Sequence, residues 1–411
     1  MNHKHLRAIL LALVFTLPGL GIRLAGVELP PATKAFVSGL AILCASFMLL
    51  WACDAAQADI SQALALAVVA LIAVLPEYAV DMYFTWQAGR HPDTGYAHYA
   101  IANMTGANRL LIGVAWGCIA LIFWLRHRRA VRIGRDRLTE LWFLALATIY
   151  AFIIPIKGAL TWVDGLVFLG IYAWYLVVTA HRPCGETEAV GPAEMLTRLP
   201  VVQRRAATAG LFVFAASAIL ANAEPFCEGL ISTGKQLHIN EFLLVQWLAP
   251  IASEAPEFVV ALVFAWRGQG GLALGSLLSA KLNQWTLLVG MIPGVFALSH
   301  NSLDHPIPMD AFQMNEVMLT AAQSLLAIVL LSSLRLTVGG AALLFVLFIG
   351  QLLSPLIASV YPGGFLGIDP QHMHPFFTVL YVVIAGAIIL LRPRRILRLA
   401  EGRHIVRPRR R

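Results

Sequence analysis

The chain has 411 residues, of which 59% are hydrophobic and 13% charged, and its net charge is +8. Soluble domains carry roughly 25% charged residues, so this composition excludes a soluble globular protein. The apolar runs are continuous rather than alternating, which excludes a transmembrane β-barrel.

Taken in order, apolar segments lie near 7–26, 34–52, 60–87, 97–125, 138–155, 160–180, 207–231, 240–266, 271–298, 314–334, 337–360 and 374–392. Each approaches or exceeds the roughly 20 residues that cross a hydrocarbon core of about 30 Å. An all-α polytopic membrane protein with about twelve transmembrane helices is therefore expected. The first segment follows His3, Lys4 and Arg7 without a small-residue cleavage pattern after it, so it reads as an uncleaved helix. Only a turn with Lys157 and Gly158 separates the fifth segment from the sixth.

Loop charge supports an even count. Arg126, Arg128, Arg129, Arg132, Arg135 and Arg137 follow the fourth segment, and Arg182, Arg198, Arg204 and Arg205 follow the sixth. Arg335 follows the tenth, and Arg392, Arg394 and Arg395 follow the twelfth. With the N-terminus inside, all of these share a side with Lys4 and Arg7. Two of the opposite loops, 299–313 and 361–373, hold Asp304, Asp310 and Asp369 but neither Lys nor Arg. The positive-inside rule then places both termini in the cytoplasm. The basic tail ending in Arg409, Arg410 and Arg411 suits anionic lipid better than nucleic acid. The expected partners are the bilayer and inorganic cations.

The five cysteines are scattered, with no spacing for a disulfide framework or a zinc site. No Gly-rich phosphate loop argues for an ATP-driven pump, and no nucleophile and base are paired at a spacing that suggests an enzyme. No cofactor is expected. The interval 181–206, with Pro183, Gly185, Glu186, Glu188, Gly191 and Pro192, is the longest polar stretch and the natural boundary between halves.

Two apolar segments carry a Pro-Glu pair: Ala73-Val-Leu-Pro-Glu77 and Ser253-Glu-Ala-Pro-Glu257. Carboxylates at membrane depth are costly and mark ion paths or relays. Each is followed by a turn and a helix that opens with small and polar residues. The first such helix contains Asn103, Gly106, Asn108 and Arg109; the second contains Gly275, Ser276, Ser279, Ala280 and Lys281. The Pro-Glu pairs fall in the third and eighth segments, an odd number apart, so they cross in opposite directions. That is the inverted-repeat plan of secondary transporters, which bind ions where broken helices meet near the midplane. It implies two inverted five-helix repeats, 34–180 and 207–360, joined by the cytoplasmic loop 181–206. One extra helix lies at each end, in 1–33 and in 361–411 with its tail.

These halves resemble the two α-repeats of the sodium/calcium exchanger superfamily, in a divergent prokaryote-like form. The family pattern runs Gly-Thr-Ser-x-Pro-Glu, then Gly-Asn-x-x-Gly-Ser-Asn. The resemblance implies a secondary active cation antiporter in a bacterial inner membrane, moving a divalent ion such as Ca2+ against Na+ or H+. It implies that Glu77 and Glu257 are the central cation ligands and that Asn103, Gly106 and Asn108 form the partner segment of the first half. Gln284 falls where the family keeps a polar ligand, ahead of its neighbour Asn283.

The chain departs from that pattern in several places. Ala73 and Val74 replace the Thr-Ser before the first Pro-Glu, whereas the second half has Ser253 and Glu254 there. Ser279-Ala280-Lys281 replaces Gly-Ser-Asn, and Arg109 follows Asn108. The loss of sodium ligands favours proton coupling. Asp81 shares a helical face with Glu77, as Glu254 does with Glu257. Three readings of the bases stay open. Arg109 neutralises Asp81 and Lys281 neutralises Glu254; or one base occupies the cation site and carries the coupling, as in a sodium/proton-type exchanger; or both reach an interface. Glu224, Glu228, Ser276 and Asn283 are candidates for an exit path. Glu140, Asp164 and Glu316 are placed near span ends. A transporter-derived membrane sensor that has lost ion binding is the remaining alternative.

Overall fold

The computed structural model describes residues 3–59, 74–180, 191–303, 305–360, 367–394 and 399. The expected start of the third span, at 60–73, lies outside these residues. So does the first part of the polar linker, 181–190. The chain folds into helices α1 (His3–Ala25), α2 (Pro31–Ala56), α3 (Leu75–Arg90), α4 (Tyr96–His127), α5 (Arg135–Lys157), α6 (Trp162–Ala180) and α7 (Pro192–Thr197). They continue with α8 (Val201–Leu237), α9 (Glu241–Trp266), α10 (Gly270–His300), α11 (Ala311–Leu331), α12 (Val338–Val360) and α13 (Met373–Leu391). Among the described residues, 10 helices are long and apolar enough to cross a membrane. The other two positions where the sequence predicts spans hold α3 and α12.

The chain divides into two compact units, Met1–Gln87 with Leu176–Glu257, and Ala88–Tyr175 with Phe258–Arg411. Each unit draws on both halves of the sequence, so the compact units are a different division from the repeats.

In the first unit, α2 and α8 pack along most of their length, with α1 against both. Small residues permit the approach: a Cβ on Gly229 would lie 2.7 Å from the backbone N of Ala35, and one on Gly39 would lie 2.8 Å from the Phe226 ring. In lipid, close backbone packing of this kind takes the place of a hydrophobic drive between helices. Met48, Leu49, Ala215, Ala218 and Ile219 form the core, and α1 adds Ile9 and Ala12.

In the second unit, α4 and α10 share one internal plan. Each contains a five-residue π-helical segment, Leu111–Ala115 in α4 and Gln284–Leu288 in α10. Each then runs a further 12 residues to a left-handed cap, Arg128 with φ 51° and Asn301 with φ 56°. The two helices run in opposite directions. A Cβ on Gly271, at the start of α10, would lie 2.5 Å from the carbonyl O of Arg132, just past the end of α4.

Two short antiparallel ladders close the ends of this unit. Val131–Arg132 pairs with Arg335–Leu336, and Ala159–Leu160 pairs with Ile307–Pro308. The first ladder joins the loop after α4 to the loop after α11, bringing Arg132 opposite Arg335. These are two of the arginine-bearing loops that the charge pattern assigns to one side. The second ladder joins the loop after α5 to the loop after α10.

Candidate cation-binding residues

The two Pro-Glu pairs sit differently in their helices. Pro76 lies in the first described turn of α3, a position where proline is tolerated. Pro256 lies inside the continuous helix α9, as does Pro250. There each proline denies the carbonyl four residues earlier, that of Ala252 and that of Gln246, its usual helical donor.

The first unit holds the carboxylates. Glu77 is 2% exposed and Asp81 0%, one turn apart on α3. Glu254 is buried and Glu257 half-buried on α9. The Ser253 hydroxyl donates back to the carbonyls of Ala249 and Pro250, at 3.3 Å each, so its hydrogen is committed to its own helix. Asp54, near the end of α2, lies within electrostatic reach of Glu257. The sequence reading missed Asp54, although an acid closing an apolar run was the available signal.

The two acids considered for an exit path have separate partners. The Tyr83 hydroxyl donates to Glu228 at 2.7 Å, and Gln87 donates to that hydroxyl at 3.1 Å. Glu224 pairs with Arg23 of α1 at 2.5 Å, with both side chains 47% exposed.

The second unit holds the amides and the bases. Asn103, Asn108, Asn283 and Gln284 are all buried. Asn108 donates its amide to the Met104 carbonyl at 2.8 Å, which fixes its Oδ1 outward. Lys281, 0% exposed, donates to that Oδ1 at 2.5 Å and lies 4.5 Å over the Trp285 ring. This corrects the reading in which both bases reach an interface. Ser276 donates to the Ala273 carbonyl of its own helix at 2.9 Å.

Arg109 is also fully enclosed, and it pairs with Glu316 of α11. Glu316, placed near a span end by the sequence reading, is thus a buried counter-charge for the base that reading set against Asp81. His374, at the start of α13, approaches Glu316 on its other oxygen at 2.9 Å. Gln323 donates to the Arg109 carbonyl at 3.2 Å, beside the π segment where the helical ladder widens. Asp164 lies at the start of α6, as expected, and receives Lys157 at 2.6 Å. Glu140 pairs with Arg137 at 2.9 Å near the start of α5.

Among the described residues, no three of His, Cys, Asp and Glu gather as a metal-binding group. A hard cation would therefore need carboxylates supplemented by amide, hydroxyl or backbone oxygens, a donor set suited to calcium.

Residues 34–180 and 207–356 match the family model described as sodium/calcium exchanger protein. The chain is similar to the crystal structure of the H+/Ca2+ exchanger CAX, with a TM-score of 0.90 and 38% identity, covering 98% of this chain and 98% of that one. The sodium-calcium exchanger NCX_Mj, soaked with 100 mM Na+ and 10 mM Sr2+, shares the fold at a TM-score of 0.53 and 20% identity, covering 79% of this chain and 98% of that one. A protein of Alkalimonas amylolytica named "Putative antiporter CaxA" is 23% identical over 297 residues, 67% of this chain and 87% of that one. The match to the family model spans both halves and most of the chain, and the chain belongs to the sodium/calcium exchanger family of membrane transporters.

Proposed function

We propose that this transporter exchanges a divalent cation, calcium, for protons by alternating access, with Glu77 and Glu257 as the carboxylates that carry the ion. The observation behind this reading is the pair of Pro-Glu carboxylates, one buried and one half-buried, within one compact unit. Two carboxylates hold one divalent ion or two protons with the same total charge. The exchange therefore leaves the site electrically balanced in either occupied state, without the cost of an unpaired charge at membrane depth.

Proton rather than sodium coupling is favoured by the local chemistry. Ala73 and Val74 offer no hydroxyl, and the Ser253 hydroxyl is bonded within its own helix. The similarity to an H+/Ca2+ exchanger points the same way. Asn103, Asn108 and Gln284 are proposed as the neutral oxygens of the pathway.

The architecture belongs to the same reading: two inverted five-helix repeats, about twelve spans in all, and both termini cytoplasmic. The shared plan of α4 and α10, their opposite directions, and the ladder joining two arginine-bearing loops support it. The experiment is 45Ca uptake into proteoliposomes under an imposed pH gradient or an imposed sodium gradient. Uptake driven by the pH gradient alone is expected; uptake that requires sodium would refute proton coupling.

A further inference from the structure

Asn108 and Lys281 occupy the same position in two copies of one structural plan. Each is the third residue before its π segment, and the offset of 173 residues between them also separates the two π segments. Two residues at equivalent positions of a two-fold-related helix pair can touch only near the axis that relates the helices. Lys281 and Asn108 do touch, with Nζ 2.5 Å from Oδ1 and 3.4 Å from the Asn108 backbone carbonyl. The ammonium therefore sits at the centre of the α4–α10 pair.

The contacts described around it are of kinds that a dehydrated monovalent cation also accepts. An amide oxygen and a carbonyl oxygen face it, and the Trp285 ring lies beneath it at 4.5 Å. A ring face attracts any cation placed over it. Lysine supplies a compact charge on a long apolar stem, so the chain delivers a monovalent charge to this point from its own α10.

We infer that Lys281 is a built-in monovalent cation, filling a niche between α4 and α10 that would otherwise take Na+ or a similar ion, and so relieving the transporter of any need for one. The inference rests on the exchanger reading for its consequence, but its test does not require transport.

The test uses the full-length protein in detergent, melted in NaCl, NH4Cl or N-methyl-D-glucamine chloride at equal ionic strength. The native chain should melt at the same temperature in all three. Lys281→Ala should melt several degrees lower in N-methyl-D-glucamine chloride and recover much of that loss in NaCl or NH4Cl. Should Lys281→Ala fail to fold, Lys281→Asn gives the second helix the residue of the first and should show the same dependence on a small cation. In proteoliposomes, Lys281→Asn should gain a several-fold stimulation of 45Ca uptake by Na+. Equal melting of the variants in all three salts would overturn the inference, as would a sodium-specific shift in the native chain. Absence of calcium exchange in the native protein would count against the exchanger reading alone.

Discussion

Arg109 of α4 and Glu316 of α11 form an ion pair in which the two side chains are 1% and 0% exposed. Removing one member of a buried pair leaves the other as an uncompensated charge, at a cost of about 3–5 kcal/mol, whereas replacing both with apolar residues is often neutral. Glu316→Ala should therefore lower the melting temperature sharply, and Arg109→Met with Glu316→Leu should restore most of it. A double-mutant cycle on thermal stability in detergent reads this directly. Additive losses from the two single changes would mean that the residues do not act as a pair.

Close approach of α2 and α8 depends on Gly229, where an added Cβ would lie 2.7 Å from a backbone nitrogen. Backbone cannot move aside as a side chain can. Gly229→Leu should destabilise the protein by about 1–3 kcal/mol or more, as overpacking does. Gly21, whose Cβ would meet nothing within 4 Å, is the control and should tolerate alanine with little effect.

The turn after α2 is tied to the start of α8 by Asp59, which receives Nε and Nη2 of Arg204 at 2.6 Å each. Hydrogen bonding to Arg204 holds the Asp59 carboxyl down at about 2. A depressed folded-state value means that the tie is fully present above the ordinary aspartate range near pH 4 and fades as pH falls toward 2. Limited proteolysis between pH 2 and pH 5 should show acid-triggered cleavage near this turn. Asp59→Asn should show that susceptibility at every pH.

Glu228 and Glu224 should differ in transport. Glu224 already has a half-exposed partner in Arg23, and such pairs contribute about 0–1 kcal/mol. Glu228 is bonded by Tyr83, which shares α3 with Glu77. Glu228→Gln should slow initial 45Ca uptake a few-fold, while Glu224→Gln should leave it nearly unchanged. Equal effects would remove the distinction between the two acids.

Much of this was readable from sequence because a bilayer restricts what a chain can do. Apolar runs must be helices when no water satisfies the backbone, and carboxylates stand out against them. Glu77 and Glu257 stand out as candidates for that reason, and the family was legible from the repeats that carry them. Long-range pairings were less legible. Glu316 lies 207 residues from Arg109 and near the start of α11, so it reads as an end residue until the fold encloses it. The π segments leave no sequence signature that separates them from ordinary helix. The compact units also could not be read from the repeats, because each unit combines parts of both halves. Lys281 was recognisable as a departure from the family pattern, but its partner Asn108 emerges only when α4 and α10 are brought together.

The central claim is that Glu77 and Glu257 carry the transported ion. The most direct measurement compares 45Ca uptake driven by a pH gradient in proteoliposomes containing the native chain, Glu77→Gln or Glu257→Gln, each verified as folded by its melting profile. The account predicts uptake in the native chain and a loss to background in both variants. Uptake at the native rate in either folded variant would contradict it.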